Sequence, residues 1–162
     1  MNTTQSYNGR QIDLELMQSV ASPQGEIPVT VSTVSKPPKV VAGVEKLVQR
    51  YAKLFLTNRG ELGYNTAEGT DFIQALIQGA IQDQAGLQAQ FAAANELVLN
   101  QLQEDDNKQD IFGAIPDDER IANTQLLDSR VDFASSTVML SIRLTTLGGT
   151  DVTFVLPATT IR

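Results

Sequence analysis

With histidine and cysteine both absent, any chemistry in this chain would have to come from carboxylates, Lys, Ser or Tyr. That absence removes the imidazole base that works near neutral pH, the thiolate nucleophile, the disulfide, and the His and Cys ligands of transition metals. The spacing that invites a reaction is Glu61 with Glu68 or Asp71, which would suit glycoside hydrolysis through an acid and a nucleophile or base. Against it, acidic residues are common throughout the chain, and spacing along a loop does not set the distance between two carboxyl groups. Tyr64 and Phe72 are the only rings nearby to stack on a sugar. Solvated loop and cap carboxylates are the simpler reading, with Asp71 placed at a helix N-terminus. Residues 104–106, Asp110 and Asp117-Asp118-Glu119 form a second acidic set that could draw a hard cation such as calcium. They lack the Asp-x-Asp-x-Asp-Gly and distal Glu of an EF-hand, so a solvated loop is expected there too. Gly148-Gly149 reads as a turn and not a phosphate loop, since no helix follows it. No catalytic residue, cofactor or metal site is expected.

Two charged motifs ask for a structural role instead. Arg59-Gly60-Glu61 and Glu119-Arg120 can each organise a loop through paired hydrogen bonds. If the two loops meet, Arg120 and Glu61 would pair and lock a helical layer to a sheet. The competing view makes all four surface charges, worth under about 1 kcal/mol each.

The elements that must position these residues follow from hydrophobic periodicity. Residues 1–10 are polar, and Ile12, Leu14 and Leu16 then alternate with Asp13 and Glu15 as a strand would. Ser22-Pro23-Gln24-Gly25 breaks that run, and Ile27, Val29 and Val31 resume it, with Pro28 assigning this piece to an edge or to an isolated extended segment. Pro37-Pro38 stiffens the chain before the first helix. Residues 1–38 thus read as an extended arm with one hairpin, and 39–162 as the folded part.

Val44, Leu47, Val48, Tyr51, Leu54 and Phe55 mark one face of a helix over residues 41–56, with Glu45, Lys46, Gln49, Arg50 and Lys53 on the other side. The helix stops at Thr57-Asn58-Arg59-Gly60. Thr70 or Asp71 can cap a second helix that turns Phe72, Ile73, Leu76, Ile77 and Ala80 inward. A third, over residues 85–103, carries a stripe of Leu87, Phe91, Ala94, Leu97, Val98 and Leu102 and ends at Glu104-Asp105-Asp106-Asn107-Lys108. From Ile121 the text is strand-like: Val131 and Phe133 alternate, Ala134-Ser135-Ser136 turns, and Val138, Leu140, Ile142 and Leu144 alternate with polar neighbours. Leu147-Gly148-Gly149-Thr150 is a hairpin turn, and Val152, Phe154 and Leu156 close the sheet before Pro157 ends it. Arm, about three helices, then an antiparallel β-meander is an α+β layout.

Composition narrows the function classes. The apolar fraction is 41%, with no Trp, six Phe and three Tyr, so the core is built mainly from Val, Leu, Ile and Ala. A net charge of −7 and no two adjacent Lys or Arg residues argue against nucleic-acid binding. No secretory signal opens the chain, and no apolar run reaches the roughly 18 residues of a membrane span. A soluble protein made in a reducing cytoplasm is expected.

The run Leu56-Thr57-Asn58-Arg59-Gly60-Glu61, then Tyr64-Asn65-Thr66-Ala67-Glu68-Gly69-Thr70-Asp71-Phe72 leading into a helix, resembles the baseplate-wedge and sheath-initiator family of contractile phage tails. In that family a leucine-rich helix ends in Leu-Thr-x-x-Gly-Glu, and a later Glu-Pro-Arg-Ile-like element opens the closing strands. The counterpart here is Glu119-Arg120-Ile121, without the proline. The likeness covers residues 40–156, while arm 1–38 is longer than the family pattern and loop 104–118 looks expanded. It makes Arg59, Gly60, Glu61, Asn65, Gly69, Asp71, Glu119 and Arg120 the motif residues. It implies a virion component, made in the host bacterial cytoplasm and present in several copies of a symmetric baseplate. Its partners would be other wedge proteins, tail sheath subunits and tube or hub proteins, with no nucleic acid and no membrane. Its helices would join the wedge, and a strand edge would template the first sheath ring by exchange. Val152, Phe154 and Leu156 are the candidate exchange edge, with the 27–31 segment as a second. A carboxylate-dependent peptidoglycan hydrolase and a different tail adaptor or completion protein are the alternatives.

Overall fold

The computed structural model describes residues 13–14, 17–19, 27–31, 40–63, 65–132 and 137–159, the first four strands as backbone. Four short strands come first: β1 (Asp13–Leu14), β2 (Met17–Ser19), β3 (Ile27–Val31) and β4 (Val40–Val41). Helices α1 (Val44–Leu56), α2 (Phe72–Ile77) and α3 (Gln84–Gln109) follow. A 3-10 turn (Asp117–Glu119) then leads into β5 (Ile121–Asp132), β6 (Thr137–Thr146) and β7 (Asp151–Thr159). Helices and meander are segregated along the chain, and the architecture is α+β. Ile12, Leu16, the 22–25 break, Pro37-Pro38, Tyr64, Phe133 and the 134–136 turn lie outside the described residues.

The meander forms because its text alternates. Val138, Leu140, Ile142 and Leu144 of β6 are all fully buried, while Met139 and Arg143 between them face out. β6 pairs antiparallel with β5 on one side and with β7 on the other, from Thr137↔Thr159 to Thr145↔Asp151. Gly149 supplies the positive φ (79°) of the β6–β7 turn; Gly148 does not need one. The register of β5 slips between Ile121 and Asn123 and between Leu126 and Asp128, and such irregularities protect an edge strand from unwanted pairing.

Against the buried sheet face pack the apolar stripes of α1 and α3, namely Leu47, Tyr51, Leu54 and Phe55 with Leu87, Phe91, Ala94, Val98 and Leu102. Phe55 is the hub: its ring centroid lies 4.9 Å from Phe72, 5.6 Å from Phe91 and 5.9 Å from Tyr51, and Tyr51 meets Phe154 edge-on at 5.8 Å. Burying each such ring contributes roughly 1.5–3 kcal/mol. Burial also pushes the Tyr51 hydroxyl far above its ordinary range, so it stays protonated and donates to Asn95 Oδ1 at 2.7 Å. The same oxygen accepts from Thr124 at 2.7 Å, so one amide ties α1, α3 and β5 together.

Several expectations are corrected. In α2 Phe72 is buried and Ile73 and Leu76 pack half-buried against the core, but Ile77 is 54% exposed and Ala80 faces water, because Gly79 (φ 69°) stops the helix after six residues. α3 runs through the acidic stretch to Gln109, because Asp106 is buried and held by Arg50 Nη1 at 2.9 Å. Lys46 and Gln49, assigned to the wet side of α1, are buried. Pro157 lies inside β7, opposite Met139, where a strand with a full ladder on one side tolerates a missing N–H on the other. β3 is not an edge. The five-stranded order is β2-β3-β7-β6-β5, in which β3 pairs in parallel with β7 at Ile27↔Phe154 and Pro28↔Val155, then antiparallel with β2 through Val29–Val31. Each half of β3 has a different neighbour, which is how a proline fits into it. The strand that pairs antiparallel with β3 is Met17–Ser19, beyond the alternating 12–16 run, whose Asp13–Leu14 piece (β1) instead forms a separate two-stranded sheet with β4.

Candidate functional site

The motif residues sit in two loops at the ends of α1. At its C-terminal end Thr57 leaves the helix with extended backbone and pairs back onto Thr70: the Thr70 N–H donates to Thr57 O at 2.8 Å and the Arg59 N–H to Thr70 O at 3.0 Å. This miniature parallel bridge closes loop 57–71 on itself. Thr70 is fully buried; its hydroxyl donates to Phe55 O at 2.8 Å and accepts the Phe72 N–H at 3.3 Å. Thr70 therefore supplies the oxygen at the start of α2, and Asp71 makes no capping bond. Gly69 (φ 101°) is pressed against the Thr57 carbonyl. Its N–H donates to Gln101 Oε1 and its carbonyl accepts from Gln101 Nε2, both at 2.9 Å, so α3 clamps the loop at one residue.

The remaining motif side chains serve the loop locally. Glu61 accepts from Asn58 Nδ2 at 2.8 Å, and Glu68 accepts from Asn65 Nδ2 at 3.2 Å. Arg59 lies 3.8 Å from Asp71 with both side chains well exposed, a pair worth under about 1 kcal/mol. Gly60 takes φ 87° beyond the helix end. A cleft of about 110 Å³ beside the loop is lined by Glu68, Glu104, Asp105 and Lys108 among others, whereas Glu61 and Asp71 do not line it. That volume is below the roughly 300 Å³ of a small-molecule pocket. The carboxylate pairing weighed for glycoside hydrolysis is not gathered into one cavity.

At the other end of α1 the structure departs furthest from expectation. Helix α1 opens after Ala42-Gly43 with no capping side chain of its own. Glu119, 2% exposed, fills that place: Oε1 accepts the Gly43 N–H and Oε2 the Lys46 ammonium, each at 3.0 Å. A carboxylate here also meets the positive end of the helix dipole. The lock between helical layer and sheet is Glu119 with Lys46 and Gly43; the expected Arg120–Glu61 pairing is replaced. Arg120 turns instead to Asp110, and its loop is organised by that pair. The signal for Lys46 was an uncapped helix start; nothing in the text marked Gln101.

The Arg120 hydrogen bond, then the Ile115 N–H at 3.2 Å, hold the Asp110 carboxyl below its ordinary range. A depressed carboxylate stabilises the fold above its unfolded pKa and loses that contribution as pH falls through the folded value. In an NMR titration the Ile115 amide is expected to shift with a midpoint below the ordinary aspartate value of about 3.9. A midpoint at or above that value would contradict the brace.

Among the described residues no three acids gather as a cation site: Asp106, Asp110 and Glu119 are each turned to a cation of the chain. No described helix is long and apolar enough to cross a membrane. The candidate exchange edge is also not bare, since β3 lies along Val152–Leu156 at Phe154 and Val155, so the two segments expected to pair with neighbours pair with each other. Compared with protein-family models and with curated proteins, the sequence matches none.

Proposed function

We propose that the chain is a structural connector in the baseplate of a contractile phage tail or a related injection machine. Its helices join wedge proteins at the base of the tube, and its sheet templates the first sheath ring by strand exchange. The observation that carries this is the outer rim of β7. That strand is nine residues long and fully laddered to β6, yet among the described residues its other side is covered at two register pairs. One of those two positions is Pro28, which has no N–H to give. A strand from a neighbouring subunit that carries all its donors would make a longer ladder there, so β3 holds the place and the neighbour displaces it.

The chain has no cysteine, so Pro28→Cys with Val155→Cys creates a single defined cross-link across a register pair. Paired strands lie about 4.8 Å apart, within reach of a disulfide. Reduced, this variant is expected to bind the sheath subunit of its own tail as the parent does; oxidised, it is expected to lose that binding. Equal binding in both states rules out displacement at β7. No binding by the parent protein rules out the sheath connection altogether.

A further inference from the structure

Ile111 and Phe112, adjacent in the turn after α3, are 80% and 89% exposed, the highest values among the large apolar side chains described. Apolar residues scattered singly over a surface need no explanation, but two neighbours standing almost wholly in water do. The turn that holds them is braced. The Phe112 N–H donates to Gln109 O at 2.8 Å, the Asp110 carboxylate takes both Arg120 and the Ile115 N–H, and Ile115 is buried behind them. A fixed apolar tip loses little conformational freedom on binding. Its surroundings are acidic: with Asp106 and Asp110 taken up by Arg50 and Arg120, residues 104–118 still carry Glu104, Asp105, Asp117 and Asp118 against Lys108. The negative end of the α3 dipole adds to that field.

We infer that this tip is a plug for another protein, which offers an apolar socket rimmed with lysine or arginine. An aromatic anchor inside a charged rim is the usual anatomy of a tight contact. The same field repels phosphate, which disfavours an anionic bilayer as the occupant. The plug does not use β7, so it stands or falls separately from strand exchange, resting only on the chain working within a protein assembly.

The test places the photo-crosslinking residue p-benzoylphenylalanine at position 112 of the full chain within the assembled particle, with position 147 as control. The expected result is one discrete adduct specific to position 112, mapping to a peptide in which apolar residues are flanked by Lys or Arg. Ile111→Ser with Phe112→Ser, exposed changes that leave the melting temperature unaltered, should weaken binding of that purified protein roughly tenfold or more. Added salt should weaken the parent's binding as well. No adduct at 112, an adduct to a peptide without basic residues, or unchanged affinity in the double variant overturns the inference. So does binding of the parent chain to phosphatidylglycerol vesicles that the double variant loses. An adduct at 112 alongside a failed sheath assay would keep the plug and discard the sheath connection.

Discussion

Glu119→Ala is expected to remove about 3–5 kcal/mol of folding stability, the scale for breaking a buried ion pair from one side. The loss has two sources. The Lys46 ammonium, its side chain 9% exposed, loses the carboxylate 3.0 Å away, and the Gly43 N–H at the start of α1 loses its acceptor. Replacing both partners, Glu119→Leu with Lys46→Met, should recover most of the loss, because an apolar pair of similar volume carries no charge to strand. Urea unfolding measures this directly, as a lower midpoint with an unchanged slope for the single variant and a restored midpoint for the double. A single-variant loss below about 1 kcal/mol, the value of an exposed pair, would mean that Glu119 is no lock.

The second large effect belongs to Gly69. A Cβ added there would lie on the Thr57 carbonyl oxygen, 3.0 Å from Thr57 C and 3.2 Å from Asn58 C, all backbone atoms that no rotamer change can move aside. The left-handed φ of 101° adds its own strain to any side chain. Gly69→Ala is expected to cost roughly 2–5 kcal/mol and to loosen the Thr57–Thr70 bridge, seen as faster exchange of the Thr70 amide. Gly60→Ala is the control. Its φ is also positive, at 87°, but open space surrounds it, so about 1–2 kcal/mol is expected. Equal losses at the two glycines would show that the close approach at Gly69 does not matter.

What the amino-acid text revealed follows from how local each cause is. The α1 stripe and the alternation of β6 are patterns repeated over several residues, and both elements lie where the periodicity puts them. The turn at 147–150 needed a residue at ease with positive φ, and Gly149 provides it. The end of α3 was hidden because its acidic last turns are unfavourable alone and are offset by Arg50, which lies 56 residues earlier in the chain. The place of β3 was hidden because a proline argues against a mid-sheet strand only when both neighbours pair at the same residue. In the candidate site, Arg59, Gly60, Glu61 and Asn65 act locally, as neighbours in a loop should. Glu119 and Gly69 draw their roles from Lys46 and Gln101, and no spacing rule connects such distant positions.

The carboxylate that completes α1 stands 76 residues downstream of the glycine it caps. A ribosome adding about 5–20 residues per second needs roughly 4–15 s after making Gly43 before it makes Glu119. Throughout that interval the Gly43 N–H at the start of the nascent first helix has yet to meet the Glu119 carboxylate. Its seating therefore waits for translation to pass the 3-10 turn, and a prematurely terminated product lacks the group that seats it. The fold thereby ties the order of its earliest helix to a residue made just before the closing strands, so a copy truncated ahead of Glu119 would hold its first helix unsecured.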